Sequence, residues 1–182
     1  MKMKTGTRIV LAALAASLLP AVAAAQDKPE GYTCCNLHYD KDWISDANWG
    51  NQPMIPAGTR IRVLDYGSNR ASVEIDGKPF RIGQDYGRKE EPLHAYIAKL
   101  VVKSDPKAKI DRFPAKTKAA IHDGHVLAGM TREQVLMAVG YPPTHRTPTL
   151  ETPVWHYWSS RAGRYEVHMR GGKVEKVVGA PW

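Results

Sequence analysis

Cys34 and Cys35 stand side by side, and His38 follows within Cys34-Cys35-Asn36-Leu37-His38-Tyr39-Asp40. Residues of these types at this spacing suit three kinds of chemistry. In an oxidising compartment two cysteines usually close one disulfide, and adjacent cysteines close a strained ring that is comparatively easy to reduce. Two thiolates and an imidazole can instead hold a soft cation such as Cu(I) or Zn²⁺. The expectation favoured here is a structural pair, with no metal and no cofactor, and with metal binding or thiol redox chemistry through Cys34, Cys35 and His38 as the alternative. The Cys-x-x-Cys spacing of disulfide-exchange enzymes is missing. His122 and His125 flank the helix-stopping Gly124, and His156 and His168 can at best face one another across a hairpin, so surface or satisfied histidines are expected. No Gly-x-Ser-x-Gly, His-Glu-x-x-His or phosphate loop is present, and no carboxylate pair has supporting context. Catalysis is therefore not expected. Asp85-Tyr86-Gly87-Arg88 reads as a turn in which Asp85 can pair with Arg88. Five tryptophans mark the chain. Trp43 and Trp49 lie in what reads as an ordered loop, and tryptophan among polar neighbours suits an interface as well as a core.

The elements that must position these residues are clearest toward the C-terminus. Thr131 can accept the Gln134 N–H while Gln134 reaches back to the Thr131 N–H, a capping box, with Met130 and Val135 placed as a hydrophobic staple. Gly140 and Pro142-Pro143 stop the helix, which is predicted over about 132–139. A helix this short is not stable alone, so it must pack. An earlier helix is predicted from Ala115 to a stop at Gly124. Three strands follow, over 152–160, 164–170 and 173–178, joined at Arg161-Ala162-Gly163 and Gly171-Gly172. A simple three-residue first loop pairs Tyr157 with Val167 and Trp155 with Met169 on an apolar face. It pairs Trp158 with Glu166, His156 with His168 and Val154 with Arg170 on a polar one. Trp158, His156, Glu166, His168 and Arg170, together with Trp49, are the candidate partner-binding residues. The helices can cover only one face.

Ile121…Gly124-His125-Val126…Gly129-Met130-Thr131-Arg132-Glu133-Gln134-Val135…Gly140-Tyr141-Pro142, then Trp155-His156-Tyr157 and Gly172-Lys173-Val174, resembles the SmpA/OmlA (BamE-like) family of outer-membrane assembly factors over about 115–178. The resemblance implies an α-α-β-β-β module and a non-enzymatic scaffold in envelope assembly.

From Ile55 to Gly83 the pattern changes to period two. Ile61 and Val63 alternate with Arg60 and Arg62, Val73 and Ile75 follow, Asp76-Gly77 signals a type I′ turn, and Phe80 and Ile82 come next. Ile55-Pro56-Ala57-Gly58-Thr59-Arg60-Ile61-Arg62-Val63 is similar to the opening of bacterial SH3-like domains, which implies a small barrel or sheet. A helix is predicted over about 91–102 and a linker over 104–109. The fold class expected is α+β, an SH3-like β module over 26–105 followed by the α-α-β-β-β module over 106–182.

Residues 1–25 read as a signal peptide: Lys2, Lys4 and Arg8 precede an apolar run over 9–19, and Ala23-Ala24-Ala25 is a cleavage site. The formal charge of +8 falls to +5 when those three cations leave. Cys34 and Cys35 lie well past Ala25, so no lipid anchor is expected, and no other stretch approaches the length of a membrane span. The address expected is the periplasm. The charge is too diffuse for nucleic acid but suits anionic surfaces. The function expected is non-catalytic binding or scaffolding in the cell envelope, in outer-membrane assembly or maintenance, with envelope proteins, peptidoglycan or an anionic membrane surface as partners. Cell-wall binding through the SH3-like module is a further alternative.

Overall fold

The computed structural model describes residues 28–182, so the leader assigned to 1–25 lies outside the described residues. Eleven strands and four helices follow in the order β1 (Glu30–Thr33), β2 (Leu37–His38), β3 (Trp43–Ser45), β4 (Met54–Ile55), β5 (Arg60–Tyr66), β6 (Arg70–Ile75), β7 (Lys78–Gly83), α1 (Leu93–Leu100), β8 (Val101–Val102), α2 (Lys107–Ile110), α3 (Ala115–His122), α4 (Arg132–Val139), β9 (Val154–Trp158), β10 (Arg164–Arg170) and β11 (Lys173–Val178). The class is mixed α+β. A curled six-stranded sheet has the order β3-β7-β6-β5-β1-β8, a meander has the order β11-β10-β9, and β2 pairs with β4. Among the described residues no helix is long and apolar enough to cross a membrane.

The alternating segments form β5, β6 and β7, with Ile61, Val63, Val73, Ile75 and Ile82 buried. The turn between β6 and β7 has both central residues at positive φ, Asp76 at 48° and Gly77 at 74°, as a type I′ turn requires. An irregularity between Val63 and Asp65 shifts the β5–β6 register; the alternation that buries Ile61 and Val63 and exposes Arg62 and Leu64 ends there, with Asp65 exposed as well. Two expectations change at the edges of this sheet. Trp43 to Ser45 is not loop but strand, paired in parallel with Arg81 to Gly83. The helix predicted to reach residue 102 ends at Leu100, because Val101 and Val102 turn extended and pair with Thr33 and Tyr32. The predicted linker also contains structure, since Lys107 to Ile110 form a helical turn after Pro106.

In the C-terminal part α4 has the predicted bounds and the predicted cap: Thr131 Oγ1 accepts the Gln134 N–H at 3.3 Å, and the Thr131 N–H donates to Gln134 Oε1 at 2.8 Å. Met130 and Val135 are both buried. The meander is present, but the β9–β10 register differs from the simple-loop expectation by two residues. Trp158 faces Arg164, Tyr157 faces Tyr165, His156 faces Glu166 and Trp155 faces Val167. The reason is local. Gly163 O accepts the N–H groups of Ser159 and Ser160, and Ser160 Oγ accepts the Gly163 N–H, so the loop takes two more residues out of the ladder. A shift of one would have exchanged the faces, whereas a shift of two preserves them. Trp155, Tyr157, Tyr165, Val167 and Met169 are buried against α3 and α4 as expected.

Buried apolar side chains fall into two clusters, one inside the six-stranded sheet beneath α1 and one between the meander and α3 and α4. Polar contacts join them. The buried Asn36 donates its side-chain amide to Ile121 O (2.6 Å) and Ala138 O (2.9 Å), and its backbone N–H to Met137 O (3.0 Å). Its Oδ1 accepts the Ala57 N–H at 2.9 Å. Asn48 donates to Val139 O at 2.9 Å and to Asn36 O at 3.1 Å, while its Oδ1 accepts the His38 N–H at 2.6 Å. The last carbonyls of α4, which a helix cannot satisfy itself, are thus closed by the N-terminal half. Gly140 lies directly against this seam. Its φ is 75°, and a Cβ there would lie 2.7 Å from Asn48 Nδ2.

Four outcomes test this description. Thr131→Ala should cost about 1 kcal/mol in urea unfolding, and Gly140→Val should cost more, because the left-handed backbone and the Asn48 amide both exclude a branched side chain. Asn36→Ala strips partners from buried groups in both halves, so about 3 kcal/mol or more should be lost. In the parent chain far-UV circular dichroism and tryptophan emission should report one coincident transition, and two separate transitions would show that the seam does not couple the halves.

Candidate functional site

The segment between β3 and β4 carries most of the site. The carboxylate of Asp46, just after β3, accepts the successive N–H groups of Asp85 (3.0 Å), Tyr86 (3.3 Å) and Gly87 (2.7 Å). Three amides converging in this way form an anion-binding concavity, and here the chain's own carboxylate fills it. Burial pushes the Asp46 carboxyl above the usual range, and the three amide bonds oppose that shift. Asp85 does not pair with Arg88. Its Oδ2 accepts from Ser45 Oγ at 2.8 Å and from Trp43 Nε1 at 3.2 Å. The loop after β7 is thereby tied at three consecutive residues to the strand beside it.

Beside this loop lies a cavity of about 400 Å³, lined by Tyr39, Trp43, Trp49 and Tyr86 with Asp40 and Asp85, and by Arg161 from the meander. Both halves contribute. The N–H groups of Gly50 and Asn51 donate to Trp158 O (3.3 Å) and Ser159 O (2.9 Å), which fixes Trp49 beside the β9–β10 loop. Arg161, in that loop, places its guanidinium carbon 5.9 Å from the Trp49 ring centroid. Tyr86 stacks on His145 at 5.5 Å, and His145 meets Trp158 at 5.5 Å, a column of three rings running from one half to the other. His38 lines the same cavity, donating from Nδ1 to Gln52 O at 2.8 Å. Burial holds the His38 imidazole below its ordinary value, and burial lowers His145 in the same direction.

The remaining candidates are distributed differently from the sequence expectation. Cys34 and Cys35 are bonded to each other and line a separate apolar cleft of about 290 Å³ with Leu136, Met137 and Tyr141. His38 faces the other cavity, so the structure does not bring the three proposed metal donors together. Among the described residues no group of three or more His, Cys, Asp or Glu side chains is arranged to hold a metal ion. His156 and His168 do not face one another. The shifted register puts Glu166 opposite His156, and both rings reach that carboxylate, His156 Nδ1 at 3.5 Å and His168 Nε2 at 2.8 Å. Arg170 pairs instead with Glu175 at 2.6 Å, at the far end of the strand. Trp158 is half-buried, flanked by His145 and by Arg164 at 5.7 Å, and with His156 and Glu166 it lines a cavity of about 320 Å³ on the outer face of the meander. His125 stacks on Trp182 at 4.9 Å.

Sequence reasoning picked out Trp49 but missed Asp40, Trp43, Tyr86 and Arg161 as its neighbours. The one available signal was compositional, two aromatic–acidic clusters at Tyr39-Asp40…Trp43 and Asp85-Tyr86. Comparison with protein-family models, with curated proteins and with solved structures finds no match to this chain.

Asp46 and His38 give opposite pH signatures. A carboxyl raised by folding favours the fold as pH falls, whereas an imidazole lowered by folding contributes stability above about 6.5 that is lost as pH falls through its folded value, because the unfolded chain then binds more protons. Between about pH 7.5 and about pH 5 the parent should lose unfolding free energy relative to His38→Gln, and equal slopes for the two proteins would rule this out. Asp46→Ala leaves three N–H groups without their acceptor and should cost about 3 kcal/mol or more, while Asp46→Asn, which keeps one oxygen, should cost less.

Proposed function

We propose that this protein is an exported, non-catalytic binding or scaffolding component of the bacterial cell envelope, and that it holds its partner at the cleft between its halves. The observation that carries this reading is how the polar groups around the cleft are used. Asp46, Ser45 and His38 are committed to internal hydrogen bonds that fix the wall, whereas Trp43, Trp49 and Tyr86 present rings to the cavity. Rigid aromatic walls with a few placed polar groups suit recognition. Ser45 does donate to the Asp85 carboxylate, itself held by Trp43 Nε1, but Ser45 is buried in the wall, and we read that pair as structural.

The signal-peptide pattern over 1–25 supports export, and the resemblance of 115–178 to SmpA/OmlA proteins supports a role in outer-membrane assembly or maintenance. The six-stranded sheet with its hairpins β5–β6–β7 is compatible with the SH3-like likeness of 55–63 and so with cell-wall binding. One observation favours a second reading. The Cys34–Cys35 disulfide borders an open apolar cleft, as a periplasmic thiol-redox protein would need.

Fractionation of cells expressing the full chain should release a form processed after Ala25 on osmotic shock. That form should co-sediment with envelope fractions, either sacculi or outer-membrane vesicles, and Trp49→Ala should weaken the retention about ten-fold while leaving the melting temperature within a few degrees. Unprocessed protein in the cytoplasm, or retention indifferent to Trp49, would overturn the proposal. For the second reading, equilibration with glutathione buffers should leave the pair oxidised at cytosolic redox poise if it is structural, and reduced there if it exchanges electrons.

A further inference from the structure

The lining of the cleft has a chemical bias of its own. Tyr39, Trp43, Trp49 and Tyr86 bring four ring systems to one cavity together with the carboxylates of Asp40 and Asp85. The face of an aromatic ring carries the negative part of its quadrupole, so rings and carboxylates together favour positive charge. The chain as a whole is basic, with a formal net charge of +8, yet this cavity sets two carboxylates against a single lining cation, Arg161. The protein's own cations already lie against these rings. Arg70 places its guanidinium carbon 4.7 Å from the Trp43 centroid, and Arg161 lies 5.9 Å from that of Trp49. Arg161 is exposed at the rim of the cavity, in the loop that joins β9 and β10.

The carboxylates are available for a ligand. The bonds that Asp85 accepts from Ser45 and Trp43 both fall on Oδ2, so the orientation of the group is set while its second oxygen is left for another donor. Asp40 is exposed, and the hydrogen bonds that fix it to Trp43 run through the backbone.

Resting on the reading of this cleft as a binding site, we propose that it receives an organic cation, a guanidinium or alkylammonium group such as a basic side chain of a partner presents, and that Arg161 is a resident competitor which the incoming cation displaces. The planar guanidinium suits the site best, since it can stack on a tryptophan face and donate to a carboxylate at the same time. A neutral glycan could also stack on the rings, but it would draw nothing from the carboxylates as charges and would gain nothing from the departure of Arg161.

The test is a titration of the purified protein, followed by tryptophan emission and by the indole N–H resonances of Trp43 and Trp49. The probes are N-acetylarginine amide, its neutral citrulline isostere and chitotetraose. The arginine probe should bind, and the citrulline probe should bind about ten-fold more weakly. Arg161→Ala should strengthen arginine binding several-fold by removing the internal competitor. Asp40→Asn, a change at an exposed side chain outside the structural hydrogen-bond network, should weaken it about five-fold. Equal affinity for the arginine and citrulline probes, no binding of either, or weaker arginine binding in Arg161→Ala would overturn the proposal. Binding of chitotetraose alone would overturn it too, while leaving the cleft as a binding site. Failure of all three probes in a folded protein that still sediments with envelope fractions through Trp49 would separate loss of this proposal from loss of the broader one.

Discussion

A helix cannot satisfy the carbonyls of its own last turn, and where that turn is buried something else must. Here the carbonyls of Met137, Ala138 and Val139 at the end of α4, and of Ile121 at the end of α3, receive donors from Asn36 and Asn48 in the other half of the molecule. Asn36 uses both its backbone groups and both ends of its side chain in this junction. Each of these contacts is buried, so losing one partner leaves the other desolvated and unpaired, which costs more than the net worth of the bond. The two apolar clusters are thus joined by buried polar groups, and by Tyr141, which packs from the C-terminal half against the cluster of the N-terminal one.

The cleft inherits its geometry from that junction. Asn48 and Asp46 belong to the same short segment after β3. Asn48 is fastened to α4, while Asp46 gathers the amides of residues 85 to 87. The tryptophans on either side, Trp43 and Trp49, are therefore carried by a stretch of chain that is anchored to both halves. Gly50 and Asn51 extend the anchorage to the end of β9, which sets the β9–β10 loop, and with it Arg161, beside the cavity. A wall of rings held in this way loses little conformational freedom when a ligand arrives, and low ordering cost is what lets a small site bind usefully.

The outer face of the meander shows how much a register matters. Had the hairpin closed with the shorter loop, His156 would have faced His168 and Arg170 would have lain near Val154. With the longer loop Glu166 lies opposite His156, both histidines converge on that carboxylate, and Arg170 is paired with Glu175. The same face is also partly covered, because His145 packs on Trp158 and the His156 N–H donates to Thr147 Oγ1 at 3.0 Å.

The features determined by sequence alone are those whose causes lie within a few residues of one another. The Thr131–Gln134 capping box, the stop at Gly140, the Asp76-Gly77 turn and the two faces of the meander were all legible, because capping is an i to i+3 interaction and a strand's faces follow from its period of two, which a register shift of two leaves intact. The tertiary structure decided what depends on distant partners. Trp43 to Ser45 carries too short a pattern to declare itself a strand and becomes one only beside Arg81 to Gly83, and the helix of Leu93 stops at Leu100 because Val101 finds Thr33. Asn36 and Asn48 are ordinary polar residues in the sequence, and their role appears only when helix ends 102 and 91 positions away are brought against them. The cleft belongs to the same class, since Trp43, Trp49, Asp85, Tyr86 and Arg161 come from segments that no local periodicity connects, and only the packing of the two halves sets them around one cavity.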